Sequence, residues 1–115
     1  MSDLSVLKRQ LARMLELKKV ARQCRINPNF DPTIVSQTAN GQLYECLYGA
    51  YARNNPDLPP FGFDVAAEYF GCTNEDAQIM FGSLAALVHR EMMIEACVAE
   101  LRERIEIASK LMVAA

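Results

Sequence analysis

LAALVHREMMIEACVAELRERIEIASKLMV, residues 84–113, is the longest run in the chain with an unbroken helical period. Leu87, Glu91, Ile94, Val98, Leu101, Ile105, Ala108 and Met112 recur at alternating steps of four and three, the spacing of a seam along which a helix packs. Only Glu91 among them is charged. No glycine or proline interrupts the run, and Glu100 with Arg104 and Glu106 with Lys110 are opposite charges four residues apart. At about 1.5 Å per residue the run would extend roughly 45 Å. A compact chain of this length has a radius of gyration of about 13 Å, a sphere roughly 34 Å across. The sequence therefore predicts either an elongated bundle or an overhang covered by a second copy or a partner. Glu91 interrupts the seam, so the extended apolar contact is expected over residues 94–112.

The remainder of the composition bounds the problem. A chain of 115 residues, 51% hydrophobic and 23% charged, is read as one helical domain, 1–115, with a real core. The beginning, MSDLSVLKRQLARML, lacks the continuous apolar core of a signal peptide, and no segment has eighteen consecutive apolar residues, so a cytoplasmic protein without a membrane span is expected. Cys24, Cys46, Cys72 and Cys97 form no Cys-x-x-Cys pair, which favours free buried thiols over a zinc site or a disulfide framework.

The formal charge of −2 conceals an uneven distribution. Residues 1–25 hold Lys8, Arg9, Arg13, Lys18, Lys19, Arg22 and Arg25 against Asp3 and Glu16, whereas residues 26–83 hold Arg53 alone against seven acids. Such asymmetry marks an acidic partner, nucleic acid, or complementarity within the chain.

Taken in order, residues 3–25 read as a first helix capped by Ser2 or Asp3, with Leu4, Leu7, Leu11, Met14, Leu15, Ala21 and Cys24 on one face. Its apolar face has no Trp or Phe, which argues against a membrane-surface helix. Pro28 breaks it. Asp31 and Pro32 start a second helix expected to run to Arg53, with Tyr44, Tyr48 and Tyr51 read as core rings whose hydroxyls reach water or a carbonyl. NNPDLPPFGF, residues 54–63, reads as a stiff loop pinned to the bundle by Leu58, Phe61 and Phe63.

Residues 63–84, FDVAAEYFGCTNEDAQIMFGSL, carry the best-defined local pattern. Asp64 is expected to cap a short helix ending at Phe70, Gly71 to close it in the left-handed conformation, and Thr73 with Asp76 to form a capping box for the next helix. Ala67, Phe70, Gly71, Cys72, Ala77 and Met80 stand at the small, turn and packing positions, so 64–84 resembles the helix-turn-helix of bacterial DNA-binding proteins. The resemblance implies that the second helix enters a major groove. That helix begins Asn74, Glu75, Asp76, Ala77, Gln78 and has no Lys or Arg, so phosphate neutralisation would fall to the first helix.

No catalytic, cofactor-binding or metal-binding motif is present. There is no phosphate loop or nucleophile elbow, and His89 has no second histidine or Glu-x-x-His partner. Cys97 is eight residues from His89, roughly 12 Å along one helix and out of reach. Met92 and Met93 cannot share one face, which puts one at an interface edge.

The expected architecture is an all-α bundle of four to five helices, with long N- and C-terminal helices packed antiparallel and a short helix-turn-helix-like pair between them. The expected function is a non-enzymatic interaction protein, an adaptor, chaperone or regulator with no cofactor. It would be homodimeric through its long helices and use Arg9, Arg13, Lys18, Arg22, Ile94, Val98, Leu101 and Ile105 toward a partner with an acidic surface. The competing reading is a nucleic-acid-binding transcriptional regulator using the basic first helix and the 64–84 unit.

Overall fold

The computed structural model describes residues 4–26, 47–52, 54–82 and 87–114. These form five helices: α1 (Leu4–Ile26), α2 (Leu47–Ala52), α3 (Phe63–Phe70), α4 (Asn74–Phe81) and α5 (Leu87–Ala114). The fold is an all-α bundle whose most extensive contact joins α1 to α5. The two run antiparallel: Lys18 near the end of α1 meets Glu95 near the start of α5 at 2.5 Å. Ala21 and Arg22 likewise face Glu91 and Met92 across a shared cleft. Dimensions of 55 × 24 × 24 Å and a radius of gyration of 15.0 Å make this an elongated bundle. Of the helix expected over 32–53, α2 falls within the described residues and 32–46 lies outside them.

The seam of α5 is buried where α1 covers it. Ile94 and Leu101 are fully buried, Val98 nearly so, and Ile105 and Ala108 pack against the core at its margin. They face Leu7, Met14, Leu17, Ala21 and Cys24 of α1 within one cluster. Each such leucine or isoleucine contributes about 1.5–3 kcal/mol relative to exposure. The half-exposed Lys18–Glu95 pair contributes about 0–1 kcal/mol. Apolar burial, not ion pairing, therefore holds the long helices together. Among the described residues the buried seam ends at Ala108, and Met112 is exposed.

The short helices fill the side of this pair through aromatic rings. Tyr48 meets Phe61 and Phe81 edge-on at 4.9 and 5.4 Å, and Tyr51 meets Phe70 at 5.2 Å. The Tyr48 hydroxyl donates to the Pro59 carbonyl at 2.6 Å, which pins the proline-rich loop. Leu58 and Phe63 pack on the core as expected, whereas Phe61 keeps 42% of its surface in water while stacking on its neighbours.

Gly71 ends α3 at φ 77°, and Thr73 with Asp76 forms a complete capping box at the start of α4. The expected Asp64 cap is corrected. Gly62 is the N-cap of α3 and makes no side-chain cap bond, and Asp64 lies in the first turn, where its carboxylate accepts from the Asn74 amide. That turn still favours an acid electrostatically.

α3 and α4 have eight residues each, too few to be stable as isolated helices. The last carbonyls of both receive donors from the long helices. Gln10 Nε2 donates to Glu68 O and Arg13 Nη1 to Tyr69 O, each at 3.0 Å, and Arg104 Nη2 to Gly71 O at 2.7 Å. Arg90, whose side chain is wholly buried, donates Nη1 to Met80 O at 2.5 Å and Nη2 to Gly82 O. These carbonyls carry the negative end of a helix dipole, so donors there, and cations above all, are favoured.

Arg90→Ala should destabilise the protein by about 3 kcal/mol, since it strands carbonyls and leaves a cavity, and Arg90→Lys should recover only part because it lacks the planar fork. Urea denaturation monitored by helical circular dichroism checks both. Gly71→Ala should cost about 1–2 kcal/mol for the left-handed backbone. It also displaces Gln10, whose side-chain atoms would lie 2.7–2.9 Å from the new Cβ.

Candidate functional site

The basic residues of α1 divide into two groups by their surroundings. Arg13 is half-buried, with its guanidinium carbon 3.9 Å from the centre of the Tyr69 ring and one nitrogen on the Tyr69 carbonyl. Lys18 is paired with Glu95. Both act within the chain, holding α3 and α5 respectively. Arg9 and Arg22 lie exposed, as do Lys8 and Lys19. By helical spacing Lys8, Lys19 and Arg22 share one stripe, and Arg9 lies on another with Arg13. Arg9 lines a cleft with Arg13, Pro59, Val65 and Tyr69, whereas Arg22 lines the α1–α5 cleft of about 290 Å³ with Glu91 and Met92.

The apolar residues expected at a partner surface sit elsewhere than that expectation requires. Ile94, Val98 and Leu101 belong to the chain's own core and Ile105 is half-covered, so a second copy reaches none of the first three without opening the bundle. Exposed apolar area on α5 lies further along. Ile107 is 51% exposed, Leu111 66% and Met112 64%. Met112 continues the seam past the start of α1. Ile107 and Leu111 continue the side on which Arg104 meets Gly71, past the turn between α3 and α4. Met92 is the exposed member of its pair and Met93 packs on the core.

The helix-turn-helix-like unit is built as its sequence pattern indicates, but its second helix offers an acidic and neutral surface. Glu75, Gln78 and Ile79 are exposed, Asn74 is bonded to both Asp64 and Gln78, and Asp76 is engaged in the capping box. No α4 contact with α1 appears among the described residues, so the basic stripe does not extend onto α4.

Among the described residues no group of three or more His, Cys, Asp or Glu side chains could hold a metal ion, and no helix is long and apolar enough to cross a membrane. His89 is exposed. Cys24, Cys72 and Cys97 are free thiols, and Cys46 lies outside the described residues. Sequence spacing did not show that Cys72 and Cys97 face each other. Their separation of 25 positions matches no local motif, and only the packing of the α3–α4 turn on α5 brings them together. Bonding to Cys97, opposed by burial and by Asp76 but helped by the Arg104 charge, lowers the Cys72 thiol from its ordinary range. The Cys97 thiol is raised by its bond to Cys72 and by burial.

The perturbed tyrosines are structural. Burial raises the Tyr48 phenol from 10.0 to about 12, and burial with a bond to Tyr69 raises Tyr51 further. The folded state favours the neutral phenols and binds more protons than the unfolded chain above pH 10. Their contribution to stability is full below that pH and is lost progressively toward pH 12. Tyr48→Phe should cost about 1 kcal/mol at neutral pH through the Pro59 bond and should flatten this decline. Urea midpoints measured from pH 8 to 12 in both proteins test it.

Comparison of the chain with protein-family models, with characterised proteins and with solved structures finds no match, which leaves the geometry of these surfaces as the basis for a functional reading.

Proposed function

We propose that the protein is a non-enzymatic protein–protein interaction module, a small adaptor or regulator, and that it forms a homodimer through the distal end of α5. The carrying observation is the exposure of Ile107, Leu111 and Met112 on a helix whose preceding turns are fixed in the core. Covering apolar surface gains roughly 25 cal/mol per Å², and a helix already ordered adds little conformational cost on docking. Glu103, Glu106 and Lys110 surround these residues with both signs of charge. An antiparallel pairing with its two-fold axis near Ser109 would set Ile107 of one copy against Leu111 of the other, the self-complementarity that a symmetric dimer requires.

Exposure of Lys8, Lys19 and Arg22 along one stripe of α1 supports a second reading, nucleic-acid binding by a regulator through phosphate contacts. It predicts steeply salt-dependent binding to duplex DNA that disappears when the three residues are changed to Glu.

Sedimentation velocity at tens of micromolar should show a dimer for the native sequence. The double variant Ile107→Glu, Leu111→Glu should be monomeric with unchanged helical circular dichroism, because both side chains already face water. A native protein that stays strictly monomeric across this range would overturn the dimer.

A further inference from the structure

A pair of thiols lies where the turn between α3 and α4 packs on α5. Cys72 is in the turn, half-exposed, directly after Gly71. Cys97 is buried on the facing side of α5. The contact is fixed from three directions. Arg104, two turns beyond Cys97, holds the Gly71 carbonyl at 2.7 Å. Asp76 Oδ2 lies 3.5 Å from the Thr73 amide and 3.9 Å from Cys97 Sγ, which ties the residue after Cys72 to the Cys97 sulfur. The Cys72 and Cys97 side chains also face each other.

We propose that Cys72 and Cys97 form an oxidisable dithiol, in which a hydroperoxide converts Cys72 to a sulfenic acid and Cys97 then closes a disulfide between the α3–α4 turn and α5.

The groups present suit each step. Cys72 is the accessible sulfur, and the facing Cys97 thiol, helped by the Arg104 guanidinium, favours its thiolate, the nucleophilic form, against burial and the Asp76 charge. That thiolate attacks the peroxide oxygen: the S–O bond forms, the O–O bond breaks, the sulfur loses two electrons, and hydroxide leaves. Cys97 sulfur then attacks the sulfenic sulfur, its proton passing toward the Asp76 carboxylate at 3.9 Å, and the sulfenic oxygen departs as water. Two thiols and one peroxide give one disulfide and two waters. Thiols set on facing elements by these contacts need less movement to approach disulfide geometry than widely separated cysteines.

The experiment uses the full reduced chain with hydrogen peroxide as the probe, followed by non-reducing tryptic mapping. Peptide 54–90 contains Cys72 and no other cysteine, and peptide 91–102 contains Cys97 and no other. The expected result is loss of both free peptides and appearance of one linked peptide, two hydrogens lighter than their sum, which reduction reverses. Cys97→Ser should instead leave Cys72 as a sulfenic acid trapped by dimedone. Because the measurement on the native chain requires no variant to fold, it decides alone. Linkage through Cys24 or Cys46, over-oxidation of Cys72 without a linked peptide, or survival of both thiols under peroxide would each overturn the proposal.

Discussion

The arrangement depends on who satisfies the carbonyls at the ends of two short helices. Among the described residues α3 and α4 lie with α2 beside the long pair, yet neither is long enough to persist alone. Gln10 and Arg13 reach from α1 and Arg104 from α5 onto the end of α3, while Arg90 reaches from the start of α5 onto the end of α4. The end of α3 is therefore finished by side chains distant in sequence, and that of α4 by one only 8 to 10 positions on. Arg90 is the buried one of these donors: without it, the Met80 carbonyl would face protein interior instead of water.

This arrangement also accounts for part of the charge asymmetry along the chain. Arg13 and Lys18 of α1 engage Tyr69 and Glu95, and Arg104 of α5 engages the backbone of α3. Each combines its charge with a packing role, as long cationic side chains do when the stem lies on apolar surface and the head meets an acceptor. Lys8, Arg9, Lys19 and Arg22 remain toward solvent. The basic helix is thus partly a structural strut, and its surface charge is smaller than its composition indicates.

The long helices, the left-handed turn at Gly71 and the capping box at Thr73 were legible because each rests on local spacing or backbone stereochemistry. Antiparallel pairing of α1 with α5 followed from two apolar faces of comparable length. Three features were not legible. Arg90 reads as a surface residue by type, although it stands four positions before Ile94 and seven before Cys97, in line with buried positions. Asp64 reads as a cap by type, but the chain enters α3 through extended Gly62 two positions earlier. The proximity of Cys72 to Cys97 depends on how the turn docks, which no short-range pattern encodes. On the surface side, the seam indicated that α5 would make extended apolar contact. It could not indicate that α1 would take up that contact as far as Ala108 and leave the turns beyond it uncovered.

The clamping of the α3–α4 turn bears on how the molecule assembles. Donors from residues 10, 13 and 104 converge on carbonyls at 68, 69 and 71, so the middle of the chain is completed by its two extremities. Helical bundles ordinarily rest on local contacts, but here the end of α3 is completed across separations of 58, 56 and 33 residues. The helix-turn-helix-like pair is consequently not a portable module: grafted elsewhere, it would carry its turn chemistry but leave behind the side chains that finish both of its helices.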